Sequence, residues 1–128
     1  MEMRERIALH QARRPAQWQT VEASLDLSDQ IAALPDNRPL LIDCLTLWLT
    51  NVMLAKRDVD AECRRLADLL AHPRGPWFAV ANEVGLGIVP ETPLGRSFRD
   101  AAGLLNQMIA EKAGCVILMV AGLPMKVK

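Results

Sequence analysis

Apolar positions along this chain follow two patterns. Residues 40–45 (Leu-Leu-Ile-Asp-Cys-Leu), 77–81 (Trp-Phe-Ala-Val-Ala) and 115–120 (Cys-Val-Ile-Leu-Met-Val) are short, nearly continuous runs. Such runs, bounded by turn residues, predict strands buried on both faces. Elsewhere apolar residues recur at helical spacing, predicting helices over residues 2–11, 26–34, 46–56, 58–71 and 94–113. The first would place Met3, Ile7 and His10 on one side and end at Arg13-Arg14-Pro15, because a proline pushes the preceding residue out of the helical region. Ser24 or Asp26 is positioned to cap the second. Residues 17–22, alternating around Trp18, Thr20 and Glu22, suit a short extended segment. Gly114 breaks the last helix, and Gly122 and Pro124 lead into a short basic tail. Strands alternating with helices call for an α/β fold with a parallel sheet covered on each side. Only three strands are clear, and there is no internal repeat or low-complexity segment.

Length and composition narrow this picture. With 128 residues the chain suits a single domain with one core, and 51% hydrophobic against 23% charged residues is a globular balance. Zero formal net charge provides no basic field for nucleic acid. Cys44, Cys63 and Cys115 are scattered and form no Cys-x-x-Cys pair. They read as reduced thiols of a cytoplasmic protein, each a small buried apolar residue. The apolar run at 116–123 is too short to cross a bilayer, and the charged start Glu2-Met3-Arg4-Glu5-Arg6 is not a targeting segment.

The densest chemistry lies between Trp77 and Gln107. A strand here stops at Asn82 and Glu83, followed by Gly85, Gly87 and Pro90, and then by Arg96 and Arg99 three apart on one helical face. Polar groups and glycines at a strand's C-terminal end, leading into a basic helix, suit an anionic ligand at the edge of a parallel sheet. Glycines that only make turns are the other reading. His10 precedes Arg13 and Arg14, so an attacking imidazole would lie beside cations able to hold phosphate oxygens; taken alone, a histidine here is more often a surface residue or a satisfied core group, and the arginines an ordinary solvated helix end. Asp43 ends an apolar strand, where a carboxylate orders magnesium, reads a base edge or caps the next helix. Glu22 and His72 read as exposed, and Trp18, Trp48 and Trp77 as core. No metal site, Ser-His-Asp set or glycosidase carboxylate pair is expected.

Several blocks together resemble a known family. They are residues 2–7, His10 to Pro15, Trp18 with Thr20 and Glu22, Asp43-Cys44-Leu45-Thr46, Thr50-Asn51, Asn82-Glu83-Val84-Gly85, Gly87-Ile88-Val89-Pro90-Glu91, Arg96 with Phe98-Arg99-Asp100, Gly103 and Asn106-Gln107. They resemble the bifunctional adenosylcobinamide kinase / adenosylcobinamide-phosphate guanylyltransferase of cobalamin assembly, over essentially the whole chain. The resemblance implies a P-loop NTPase (RecA-like) α/β fold and a homotrimer when full length. It implies ATP and GTP as substrates, with Mg2+, and adenosylcobinamide and its phosphate as partners. His10 would form a guanylyl-histidine and pass GMP to the cobinamide phosphate. Gln11, Ala12, Arg13 and Arg14 match the adjoining nucleotide-binding run, and Glu22 and Asp43 match two acidic positions for the guanine nucleotide. Asn82, Glu83, Arg96 and Arg99 are candidate substrate or phosphate contacts.

The family begins with a strand and a Gly-x-x-x-x-Gly-Lys-Ser (Walker A) loop, and neither is in this sequence. The expectation is therefore one truncated nucleotide-binding domain over residues 1–128, whose remaining strands expose apolar edges. The alternative is a non-catalytic remnant that survives by docking onto intact subunits.

Overall fold

The computed structural model describes residues 2–128. Strands β1 (Leu40–Asp43) and β2 (Trp77–Val80) pair in parallel, with Leu40 opposite Trp77 and Asp43 opposite Val80. Both strands therefore end at the same edge. Around them run α1 (Glu2–Ala12), α2 (Leu27–Ala32), α3 (Leu45–Leu54), α4 (Val59–Leu70) and α5 (Pro93–Lys112). The parallel pair and the five helices stand within a few residues of where the apolar spacing puts them.

Helices α2 to α5 build the core. Ile31, Leu49, Val52, Leu66 and Leu105 are the largest side chains almost wholly removed from water. Each such burial contributes about 1.5–3 kcal/mol. Cys63, Leu66 and Ala67, at i, i+3 and i+4, form the inward stripe of α4. That helix starts where the Asp58 carboxylate accepts from the Ala61 N–H at 3.1 Å, and α5 starts likewise at Thr92, whose hydroxyl accepts from Gly95 N–H at 3.0 Å. At the opposite edge of the sheet, Arg74 donates to the carbonyls of Ile31 (3.0 Å) and Leu34 (2.8 Å), closing the end of α2. Its guanidinium also lies 5.7 Å from the centre of the Trp77 ring. Next to it, a Cβ on Gly75 would strike the Arg38 carbonyl, so only glycine lets these two loops meet.

Four expectations are corrected. The third apolar run does not join the parallel sheet. It forms β3 (Ile117–Val120), which pairs antiparallel with β4 (Leu123–Lys126), drawn from the expected tail. Ala121 and Gly122, at φ 51° and 75°, make the two-residue reversal that sets this register. Pro124 is tolerated because the hairpin has open edges. Lys128 then donates to the carbonyls of Ala110 and Glu111 at the end of α5. Second, the strands are not covered on both faces: Phe78, Val80, Ile117 and Met119 are all exposed. Third, α1 buries no side chain, residues 17–22 form no strand, and Trp18 is exposed, whereas Trp48 is buried and Trp77 partly so. Fourth, only Cys63 is a buried thiol; Cys44 is half-buried and Cys115 exposed. No helix among the described residues is long and apolar enough to cross a membrane.

Candidate functional site

Parallel strands direct their C-terminal ends to a common edge, and ligands of open α/β sheets bind outside that edge. Here the edge carries Asp43 on β1 and, just beyond β2, Asn82 and Glu83. Asp43 is exposed, and its carboxylate has no hydrogen-bond partner among the described residues. It does not cap α3, whose N-cap is Cys44. The edge is built by a side chain that the motif reading did not single out. Thr46, in the first turn of α3, accepts from the Asn82 backbone N–H at 2.8 Å. Asn106 of α5 donates to the Asn82 carbonyl at 3.4 Å. The backbone of Asn82 is thus held from two helices and its side chain projects from a fixed base. A threonine three residues beyond the strand-ending aspartate was the available signal.

The loop after Asn82 is held by its own polar groups. Glu83 accepts from the Gly85 N–H at 2.7 Å, so its carboxylate turns back onto the loop. Arg96 donates to the carbonyls of Pro90 (3.1 Å) and Glu91 (2.9 Å), tying α5 to the loop's far end. Its side chain sets the loop, and the contact with an anion expected of it would have to compete with these bonds. Arg99 is half-buried, 3.6 Å from Asp100.

The other half of the expected site stands apart. His10, Gln11, Ala12, Arg13, Arg14 and Glu22 are all exposed. Arg14 donates to the Thr20 hydroxyl at 2.9 Å, joining the end of α1 to the following segment. That segment is pinned to α3, with Asn51 donating to the Ser24 carbonyl and Trp48 to the Leu25 carbonyl, each at 3.0 Å. Glu22 therefore lies two residues from an anchored point. The structure assembles Asp43, Asn82 and Glu83 at one edge, while His10 sits on a helix that buries no side chain and Arg13 and Arg14 lie in the turn after it.

Two clefts remain. The larger, about 700 Å³, lies between α4, Arg74 and Trp77, towards the N-terminal end of β2. Its arginines are already paired: Arg64 with Asp60 (2.9 Å), Arg65 with Asp29 (2.6 Å) and Arg74 with Asp36 (3.0 Å). His72, which borders it, sits 3.1 Å from the Asp68 carbonyl. The smaller, about 320 Å³, lies between α3 and the start of α5 and is almost wholly apolar. Among the described residues no three His, Cys, Asp or Glu side chains form a metal cluster. Among the described residues the strongly perturbed group is Cys63, whose thiol is pushed up to about 11 by burial, with Asp60 and Glu62 adding to the effect.

A mixed α/β chain with a small parallel sheet, its strand ends dressed with fixed polar groups, belongs to the class that binds ligands beyond its strands. The family profile described as cobinamide kinase / cobinamide phosphate guanyltransferase matches residues 1–127. The chain is 46% identical over 130 residues to the bifunctional adenosylcobalamin biosynthesis protein CobP of Pseudomonas aeruginosa, covering 99% of this chain and 75% of that one. It is 36% identical over 143 residues to the bifunctional adenosylcobalamin biosynthesis protein CobU of Salmonella typhimurium, and 35% to that of Escherichia coli, covering 79% of each. The chain belongs to the cobinamide kinase / cobinamide phosphate guanyltransferase family. Its function is that of a kinase and guanylyltransferase of adenosylcobalamin biosynthesis.

Proposed function

We propose that His10 is the nucleophile of the guanylyl transfer. An imidazole nitrogen attacks the α-phosphorus of GTP; the N–P bond forms as the bond to the bridging oxygen breaks, and pyrophosphate leaves. A phosphate oxygen of the cobinamide phosphate then attacks the same phosphorus, and the imidazole departs unchanged. Arg13 and Arg14 offset the charge that builds on the phosphoryl oxygens, beside the run Gln11-Ala12. Glu22 and Asp43 accept from the guanine N–H edge. Asp43, exposed and without a partner, also fits a hydrated Mg2+, which is held through one or two carboxylates plus nucleotide phosphates. Such an ion would neutralise triphosphate charge. Asn82 and Arg99 contact the acceptor phosphate, with Glu83 and Arg96 holding the loop. The same reading gives a P-loop, RecA-like parent fold, a cytoplasmic homotrimer and a kinase step using ATP.

The observation that carries this is the contrast between the chain's two histidines. His10 is exposed in the last turn of α1, one turn before Arg14, whereas His72 borders the cleft of paired arginines near the other end of β2. Incubation with GTP labelled in its α-phosphate tests it. An acid-labile label is expected on the chain, absent from His10→Asn and retained by His72→Asn; a label that survives His10→Asn overturns the assignment. A polypeptide of these 128 residues alone, which contain no Gly-x-x-x-x-Gly-Lys-Ser loop, is expected to bind triphosphate weakly and to show slight kinase turnover. One observation favours a second reading, in which the chain acts only when docked onto further polypeptide: the apolar faces of β2 and β3 stand open. Sedimentation of the isolated chain as an aggregate would support that reading.

A further inference from the structure

The loop between Glu83 and Thr92 displays side chains that the fold does not use. Leu86 is 85% exposed and Ile88 is 98% exposed, more than any other large apolar side chain among the described residues. Their backbone, by contrast, is fixed at both ends, by the Glu83–Gly85 bond and by Arg96 on the Pro90 and Glu91 carbonyls. A fixed loop that presents aliphatic groups to water is built to be covered. At its C-terminal root opens the 320 Å³ cleft, with Met53 and Leu54 from α3 facing Leu94 and Phe98 from α5. Gly95 keeps this root narrow, since a Cβ there would crowd Pro90 at 2.8 Å. The loop follows directly on Asn82, where the acceptor phosphate is placed above, and Thr92 at its other end lines the cleft.

We infer that this loop and cleft form the docking surface for the corrin ring of the cobinamide substrate. The inference rests on the reading above, which puts the substrate's reacting end at the strand edge. A corrin is a broad macrocycle edged with methyl groups and amide-tipped side chains, and its aminopropanol arm ends in the group to be modified. Such a molecule needs an apolar shelf beside a polar site. A cleft of 320 Å³ is at the small end of ligand pockets, so it takes one methylated edge while the ring lies across Leu86 and Ile88.

The test is equilibrium dialysis of the chain against cobinamide, with aminopropanol phosphate as a probe of the arm alone. The double variant Leu86→Ser/Ile88→Ser should bind cobinamide at least tenfold more weakly and leave binding of the small probe as it was. Ile88→Leu, which keeps the apolar surface, should bind like the original. Because neither side chain is packed, an unchanged thermal midpoint is expected and checks that the variant folds. Unchanged cobinamide affinity in the double variant overturns the proposal, as does an original chain that retains no cobinamide. So does an oligomer that the double variant splits, since the loop is then a subunit contact. Labelling by GTP is followed separately on the original chain: no label on His10 there, with cobinamide bound and the double variant weakened, counts against the guanylyl reading alone.

Discussion

Two regions of this chain are built on opposite terms. From α2 to α5, apolar stripes meet and exclude water, and the strand edge with Asp43 and Asn82 is fixed by that packing. From α1 to Ser24 scarcely any side chain is removed from water, and the segment is tied down by Arg14 on Thr20 and Asn51 on Ser24. Both regions carry residues assigned to the same chemistry. The difference teaches that a polar reaction centre can be split between a rigid half and a tethered half. On the proposed roles, the tethered half is the one expected to take up its final geometry when ligand or neighbouring polypeptide covers it.

Substitutions that separate the two halves should have very unequal effects. Leu49, fully buried on α3, should cost about 2–5 kcal/mol as Leu49→Ala. Ile7→Ala on the exposed α1 should change stability by no more than about 0.5 kcal/mol. Denaturant unfolding of the two variants measures both, and equal losses would mean that α1 is packed in solution. The core also contains a pH-sensitive group. The Cys63 thiol keeps its proton up to about 11 in the folded chain, against 9.0 for an ordinary thiol. Between those values the unfolded chain binds fewer protons, so this contribution, fully present below pH 9, declines as pH rises towards 11. Melting temperatures across that window should fall, and Cys63→Ala should remove this part of the slope. Smaller again is the helix start: Thr92→Ala, which loses the hydroxyl that accepts from Gly95, should cost about 1 kcal/mol. Cobinamide binding should weaken with it, because Thr92 borders the cleft.

The same contrast explains what could be read from the sequence. Helices α3, α4 and α5 and the parallel pair were legible because burial leaves a periodic trace, as in Cys63, Leu66 and Ala67. The β3–β4 hairpin was not. Its turn is Ala121-Gly122 rather than Asn-Gly or Asp-Gly, and β4 contains a proline and a lysine. Strand burial was overestimated for a related reason: the run 115–120 is written for a covered sheet, yet in this chain its side chains face water. The parts of the site were legible as motifs, but the hydrogen bond from Asn82 to Thr46 spans 36 positions and leaves no local signal. Nor does spacing reveal that Arg96 is occupied by two loop carbonyls.

The smallest stability effect should accompany the sharpest functional one. His10 is exposed on a helix that buries nothing, and its ring makes no hydrogen bond among the described residues. His10→Asn should therefore shift the unfolding free energy by less than about 0.5 kcal/mol while abolishing guanylylation. A core residue cannot give that combination, because its loss unfolds whatever activity it supports. A merely tethering residue such as Arg14 should give an intermediate result, with labelling slowed and stability nearly unchanged. If His10→Asn instead lowered the melting point as much as Thr92→Ala does, α1 would be docked against the body of the protein in solution. The division into a rigid and a tethered half would then fail, because the imidazole would be held in place by packing before any nucleotide arrived.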